Sequence, residues 1–348
     1  MNNIFKLIDK LESSHSLSLE EYQYLIENQS NEVQNYISEK ARKITNSIYG
    51  NKIFIRGLIE ISNICKNDCY YCGIRKSNTT CSRYRLNEDD ILLAAKEGYS
   101  LGFKTFVLQG GEDLYFSDDV LSSIIKKIKN LYPDVAITLS LGERNFDSYK
   151  KLFDAGADRY LLRHETADEE HYKKLHPNNM SFENRIACLK NLKEIGYQVG
   201  AGFMVGSPYQ TSISLAKDLK FIEEFKPDMC GIGPFIPHKD TSFKNEPAGT
   251  VDQTCYLLSI IRLIYPSILL PATTALSSID PNGHEKGILS GANVVMPNLS
   301  PISVRGKYEL YNNKAYSGTE SAQNKKDLEE KLKKIGYEII ISRGDIKK

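Results

Sequence analysis

From Asn51 onward one pattern repeats along the chain: a short β-branched or apolar run, a polar or Gly-rich loop, then an amphipathic helix. Runs at Ile53–Ile61, Thr105–Gln109, Val135–Leu141, Arg159–His164, Gln198–Val205, Met229–Phe235, Leu269–Ala275 and Asn293–Met296 read as eight strands. Helical spacing fills the gaps between them, at Glu88–Leu101, Asp118–Leu131, Asp147–Ala155, Ser181–Ile195, Ser212–Phe225, Asp252–Ile264 and Glu285–Ser290. Turn residues at Gly102, Ala155-Gly156-Ala157, Gly196 and Pro227-Asp228 suit the helix-to-strand connections. Eight strands alternating with helices over about 250 residues predict an α/β fold, a closed (β/α)8 barrel of the TIM type rather than an open doubly wound sheet.

Flanking segments follow from the same reading. Residues 1–50 show helical spacing at Ile4, Leu7, Ile8 and Leu11, with Ser18 placed to cap a turn before Leu25, and form an N-terminal helical extension. The barrel spans 51–300. Residues 301–348 form a Tyr- and Lys-rich tail with one helix at about Lys325–Ile335, expected to pack on the barrel. Lys and Arg total 45 against 44 for Asp and Glu, a net charge of +1 that offers no field to nucleic acid or an anionic membrane, so the expected partner is a small molecule. The start of the chain lacks the basic and apolar regions of a signal peptide, and no run approaches the roughly 18 apolar residues of a membrane span. A cytoplasmic protein is expected. Seven unevenly spaced cysteines argue for reduced thiols rather than a disulfide framework.

Three of those cysteines stand together in Cys65-Lys66-Asn67-Asp68-Cys69-Tyr70-Tyr71-Cys72, just past the first strand. Structural zinc sites take four protein ligands, and Cys81 could complete such a set. A cubane cluster held by three thiolates is the other solution, and it leaves one iron open to an exogenous ligand.

Barrel active sites form at the carboxyl ends of the strands, so polar groups there are informative. Strand two ends Gln109-Gly110-Gly111-Glu112, where glycines admit a ligand to the backbone and Glu112 can accept from an ammonium. Thr138 and Ser140 share a face of strand three by period two. Arg159 and Arg163 share a face of strand four with Glu165 at its tip, and an inward Arg159 requires an anionic ligand or a carboxylate partner. Gly200–Pro208 and Gly231–Pro237 bring small residues to strands five and six, and strand seven carries Thr273 and Thr274. His164 and His176 are weaker candidates, since a lone His is usually structural.

The C-x3-C-x2-C spacing, with Tyr71 before the last cysteine, resembles the signature of radical S-adenosylmethionine (SAM) enzymes. Together with Leu108–Asp113, Thr138–Glu143, Arg159–Thr166, Gly231–His238 and Pro271–Ala275, it resembles the HydE family, the radical SAM maturases of FeFe-hydrogenases, which are relatives of biotin synthase and methylornithine synthase. The resemblance implies one 4Fe-4S cluster on Cys65, Cys69 and Cys72, with the open iron chelated by the amino and carboxylate groups of SAM. It implies a SAM site of Tyr71, Gly110, Gly111, Glu112, Ser140, Glu165, Arg185, Met204 and Ile232. In that site Glu112 faces the amino group, Glu165 the ribose hydroxyls and Arg185 the carboxylate. The implied substrate cavity comprises Arg56, Gln109, Thr138, Arg159, Thr273, Thr274, Met296, Tyr308 and Tyr311. Reductive cleavage of SAM to methionine and a 5′-deoxyadenosyl radical would then act on an organometallic precursor of the di-iron site. An electron donor such as ferredoxin or flavodoxin, other hydrogenase maturases as partners and an anaerobic setting are implied as well. No cysteine follows Cys255, so no second cluster is expected, and Gly110 stands where some relatives have a hydroxyl residue. Two alternatives remain at this level: a mutase like methylornithine synthase acting on an amino acid, and a non-catalytic iron–sulfur scaffold.

Overall fold

The structure, a computed structural model, describes residues 2–347. Three helices precede the first strand: α1 (Asn2–Ser14), α2 (Leu19–Glu27) and α3 (Asn31–Tyr49). Ser18 caps α2 as its sequence implies. Its side chain accepts the Glu21 N–H while the Glu21 carboxylate takes the Ser18 N–H, so two orphan donors are satisfied at once.

Short strands follow: β1 (Lys52–Ile55), β2 (Gly57–Ser62), β3 (Thr105–Gly110), β4 (Ala136–Ser140), β5 (Arg159–Leu161), β6 (Gln198–Ala201), β7 (Met204–Val205), β8 (Met229–Cys230), β9 (Gly233–Pro234) and β10 (Val294–Val295). All of their pairings are parallel. Six of them form one sheet in the order β2-β3-β4-β5-β6-β8, and β10 pairs with β1 through Phe54↔Val294 and Ile55↔Val295. Single bridges Met229↔Leu269, Pro271↔Val294 and Leu58↔Asn298 close the ring. The closed parallel barrel expected from the alternation is therefore present.

Helices α4 (Glu88–Ser100), α5 (Asp118–Leu131), α6 (Phe146–Asp154), α7 (Glu169–Leu175), α8 (Phe182–Ile195), α9 (Ser212–Phe225), α10 (Val251–Ile264), α11 (Thr274–Ile279) and α12 (Gly283–Leu289) connect the strands. Their apolar faces supply the core: Leu121, Ile124, Ile125 and Ile128 of α5 are fully buried at helical spacing. Each such side chain contributes about 1.5–3 kcal/mol. The N-terminal extension joins this core, α2 against α9 and α3 against α10. No helix of the described residues is long and apolar enough to cross a membrane.

Several runs differ in detail from their sequence reading. The run from Ile53 to Ile61 breaks at Arg56, because β1 and β2 pair with different neighbours. The runs of strands five and six each break after two to four residues, at Gly202-Phe203 and at Gly231-Ile232, and resume as the separate pair β7–β9. The run at Leu269–Ala275 makes single bridges only and turns into α11 from Thr274. Beyond the barrel come α13 (Ile302–Arg305) and the expected tail helix, α14 (Lys325–Lys334), and then an unexpected strand, β11 (Glu338–Ile340). β11 pairs with the free edge of β1, Ile53 opposite Ile339.

Candidate active site in the barrel lumen

The cysteine loop leaves the end of β2 and is held rigid by its own polar groups. Lys66 N–H donates to Glu112 O (3.0 Å), Tyr70 N–H to Leu175 O (3.0 Å) and Gly73 N–H to Leu310 O (2.8 Å). Asp68 takes two bonds from Arg75 (2.7 and 2.8 Å) and one each from the Ser77 N–H and hydroxyl. Arg83 donates to four carbonyls, those of Asn63, Ile74, Arg75 and Asn78. These bonds fix the path of the loop before any ligand is considered.

Cys65, Cys69 and Cys72 are half-buried along one wall of a cavity of about 340 Å³. Burial pushes all three thiols up, Cys72 to about 12, and neighbouring sulfurs add to the rise at Cys69 and Cys72. Three thiols that resist ionisation singly need a cationic centre to become thiolates, as an iron cluster provides. Among the described residues no three His, Cys, Asp or Glu side chains converge as ligands of a single ion would. Cys81 does not line the cavity, and its sulfur accepts from Asn63 Nδ2 at 3.5 Å. The donor set therefore suits a cluster with one sulfur per iron better than a four-sulfur zinc site. At Gly111 a Cβ would lie 2.3 Å from Ile64 O and 2.8 Å from Cys65 Cβ, so only glycine lets this turn approach the cysteine loop.

Around the thiols, Tyr71, Gly110, Gly111, Glu112 and Ser140 line the cavity, as do Glu165, Arg185 and Met204. Glu112 is aimed by Lys66 Nζ (3.0 Å) and the Glu143 N–H (3.1 Å). Its side chain occupies space that any Cβ at Gly142 would take, at 2.0 Å from Glu112 Cγ; Gly142 has φ +75°. Glu165 adopts φ +66° and its N–H donates to Gly202 O (3.0 Å). That left-handed backbone costs about 1–3 kcal/mol in a non-glycine residue, and it turns the carboxylate to within 3.3 Å of Arg163 Nη2. Arg185 carries its guanidinium to the cavity with Nε 2.6 Å from Glu143. Ile232 is buried behind the wall, where its flanking residues Gly231 and Gly233 face the cavity instead.

Deeper in the same cavity lie Gln109, Thr273, Thr274, Met296, Tyr308 and Tyr311. Arg56, Thr138 and Arg159 do not reach it. They line a separate void of about 10 Å³, room for roughly one water, nearer the amino ends of the strands. Arg159 donates to Asp345 (2.5 Å), Arg343 O (2.7 Å), Thr105 Oγ1 (3.1 Å) and Gln198 Oε1 (3.1 Å), so the carboxylate partner its burial requires comes from the tail. Among the described residues, Arg56, 1 % exposed, reaches only Met229 Sδ and Gly344 O and leaves Nε unpaired, and the Thr138 hydroxyl is unpaired too.

Sequence reading missed a charged pair in the lumen wall. Glu60 in β2 accepts from Lys314 Nζ (2.6 Å) and Asn298 Nδ2 (2.8 Å), and both Glu60 and Lys314 line the cavity. A glutamate inside an otherwise apolar strand was the available signal. His164 and His176 are both buried away from the cavity, though His176 touches Tyr71: its Nδ1 donates to Tyr172 O (3.0 Å), so Nε2 accepts from the Tyr71 hydroxyl (3.2 Å).

Comparison with known proteins agrees with this geometry. Residues 59–222 match the radical SAM superfamily. The chain is 48% identical over 271 residues to the [FeFe] hydrogenase maturase subunit HydE of Thermotoga maritima, covering 78% of this chain and 77% of the relative. It is 29% identical over 308 residues to 3-methylornithine synthase of Methanosarcina acetivorans, covering 86% of each. The solved structure of methylornithine synthase (PylB) superposes with a TM-score of 0.83 at 25% identity, over 96% of this chain and 97% of that one. The hydrogenase maturase HydG shares the fold, with a TM-score of 0.81 at 22% identity over 98% of this chain and 76% of its own. Three half-buried thiols at the mouth of a closed parallel barrel, joined to its lumen, are thus found in a chain that belongs to the radical SAM superfamily and, within it, to the HydE-like maturases.

Proposed function

We propose that this chain reductively cleaves SAM and directs the resulting radical at a small molecule in the barrel lumen, as one step in assembling the di-iron site of an FeFe-hydrogenase. The observation that carries this reading is the continuity of the 340 Å³ cavity, which runs from the three thiols to Thr273, Thr274, Met296 and Tyr311 without an intervening wall.

Cys65, Cys69 and Cys72 would hold the one 4Fe-4S cluster. When bound, the cluster and SAM supply one electron and, from the cleaved sulfonium, a 5′-deoxyadenosyl radical. Glu112, already turned by Lys66 and the Glu143 N–H, would accept from the SAM amino group, while Arg185 would face its carboxylate. Glu165, aimed by its left-handed backbone, would take the ribose hydroxyls. Tyr71, Gly110, Gly111, Ser140, Met204 and the Gly231–Gly233 wall around Ile232 would enclose the adenosyl group and exclude water from it. Gln109, Thr273, Thr274, Met296, Tyr308 and Tyr311 would hold the substrate, an organometallic compound in the maturase reading. Arg56, Thr138 and Arg159 would support it from beneath.

The electron would come from an outside donor such as a ferredoxin or flavodoxin, and the product would pass to other hydrogenase maturases. Reduced thiols and an oxygen-labile cluster fit an anaerobic cytoplasm. A mutase acting on an amino acid is the second reading, favoured by the 29% identity to 3-methylornithine synthase over most of the chain. The test is anaerobic reconstitution with iron and sulfide, reduction with dithionite, and measurement of 5′-deoxyadenosine released from SAM. Release is expected. A fully loaded, reduced protein that releases none, with candidate substrates of both kinds present, would refute the proposal.

A further inference from the structure

The loop that carries Glu165 is fastened from behind by two side chains outside the cavity. His164 is wholly buried, its ring 4.5 Å from that of Phe221 and 5.7 Å from that of Phe203. The Gly202 N–H lies 3.3 Å from His164 Nδ1 and can only donate, so Nδ1 accepts. Burial pulls the His164 pKa down to about 3, which leaves the ring neutral. Its one proton is therefore on Nε2, 3.2 Å from Asp218 Oδ1. The same Oδ1 accepts the Ala167 N–H at 2.5 Å, and Asp218, in the middle of α9, is wholly buried too. Residues 164 and 167 are thus tied to one oxygen atom, and Glu165 stands between them at φ +66°. Gly202 completes the frame: its carbonyl takes the Glu165 N–H (3.0 Å) while its own N–H goes to His164. A left-handed backbone at a non-glycine residue persists only where its surroundings over-determine it, and these bonds do so. Glu165 lines the cavity; His164 and Asp218 do not.

We propose that Asp218, acting through His164 and the Ala167 N–H, is a positioning residue for the cofactor site: it holds the loop in the path that turns Glu165 to the cavity, and so sets the affinity for the ribose hydroxyls of SAM without touching them. The inference rests on the reading of Glu165 as the group that takes those hydroxyls. Without an acceptor at residue 218, the Ala167 N–H and the His164 proton would both be left unpaired in the interior. The loop then gains by shifting to satisfy them, and Glu165 is released to a right-handed backbone that carries its carboxylate off the hydroxyls. A carboxamide at the same place keeps an oxygen for both donors and should keep the loop.

The test compares SAM with its 2′,3′-dideoxy analogue by anaerobic equilibrium dialysis against the oxidised, cluster-loaded protein. Wild type is expected to bind SAM about tenfold or more tightly than the analogue, the effect of hydroxyls bonded to a carboxylate. Asp218→Leu is expected to bring that ratio close to one, and Asp218→Asn to restore it. His164→Phe, which keeps a ring between Phe203 and Phe221, should lower the ratio as well, and it answers the question if Asp218→Leu fails to fold. A merely structural Asp218 would weaken both ligands alike and leave the ratio where it was. Glu165→Gln gives the reference: adding Asp218→Leu to it should lower the ratio no further, since both changes remove the same contact. A wild-type ratio in Asp218→Leu, or in His164→Phe where the leucine variant does not fold, overturns the proposal while leaving Glu165 as the ribose group. A wild type without preference for SAM, or a Glu165→Gln variant that keeps it, sinks the reading of Glu165 and the proposal with it.

Discussion

Cys65, Cys69 and Cys72 were legible in the sequence because their spacing is local: eight residues carry all three sulfurs, and no distant partner is needed to see them. Glu112 and the glycines before it were legible for the same reason. What holds these groups was not. Arg83 spans four carbonyls of a loop whose path exists only once folded, and Arg159 finds its carboxylate 186 residues away, at Asp345. Single substitutions separate the two kinds of residue. Cys69→Ala removes a thiol that no other cysteine can replace, since Cys81 is turned to Asn63 and Cys188, Cys230 and Cys255 are buried. Iron content and the EPR signal of the reduced cluster are expected to be lost in Cys69→Ala, along with SAM cleavage, and to be retained in Cys81→Ala. Loss of the cluster in Cys81→Ala would return the choice to a four-sulfur site.

At the level of elements, periodicity located the barrel strands and helices but not their interruptions, because a strand ends where its pairing partner changes rather than where its apolar run does. β1 and β2 show this at Arg56, and the seventh strand shows the limiting case, reduced to single bridges before α11 begins at Thr274. α7 escaped the sequence reading since seven residues are too few for a periodic signal, yet it places His176 against the cysteine loop. Desolvation by burial pulls the His176 pKa down to about 3, so the ring is neutral and accepts from Tyr71. Its unfolded value is near 6.5. Between about pH 6.5 and 3 the unfolded chain takes a proton that the folded ring refuses, so this histidine's share of stability falls as pH drops through that window, by about 1.4 kcal/mol per pH unit. Urea midpoints of wild type and His176→Gln at pH 7.5 and 5.5 are expected to show a smaller pH-dependent loss in the variant, by roughly 1 kcal/mol. Equal losses would mean that His176 is free to protonate in the fold.

Taken whole, the molecule is a barrel open at one end and sealed at the other by its own tail, and the seal is the feature least visible in the sequence. Glu338–Ile340 lies past the one helix expected in the Tyr- and Lys-rich tail, and it becomes a strand because β1 offers an edge that β3 does not cover. That pairing carries Arg343, Gly344 and Asp345 beneath the barrel. Arg343 there binds Asp158 (2.9 Å), Asp345 binds Arg159, and Gly344 O meets Arg56. Two buried arginines lie close enough for Arg159 to depress the Arg56 pKa further after desolvation has done so, and Asp345 is the carboxylate that offsets them. Asp345→Ala leaves that pair uncompensated. Breaking a buried ion pair from one side costs about 3–5 kcal/mol, and since Asp345 is 39% exposed the expected loss is lower, about 1–3 kcal/mol. Denaturant unfolding checks it. Asp345→Asn should recover part of the loss by keeping a hydrogen bond to Arg159, and Arg159→Met combined with Asp345→Ala should cost less than Asp345→Ala alone, because the stranded charge is then gone. A double variant less stable than the single one would mean that the tail is held by β11 and not by the charge it delivers.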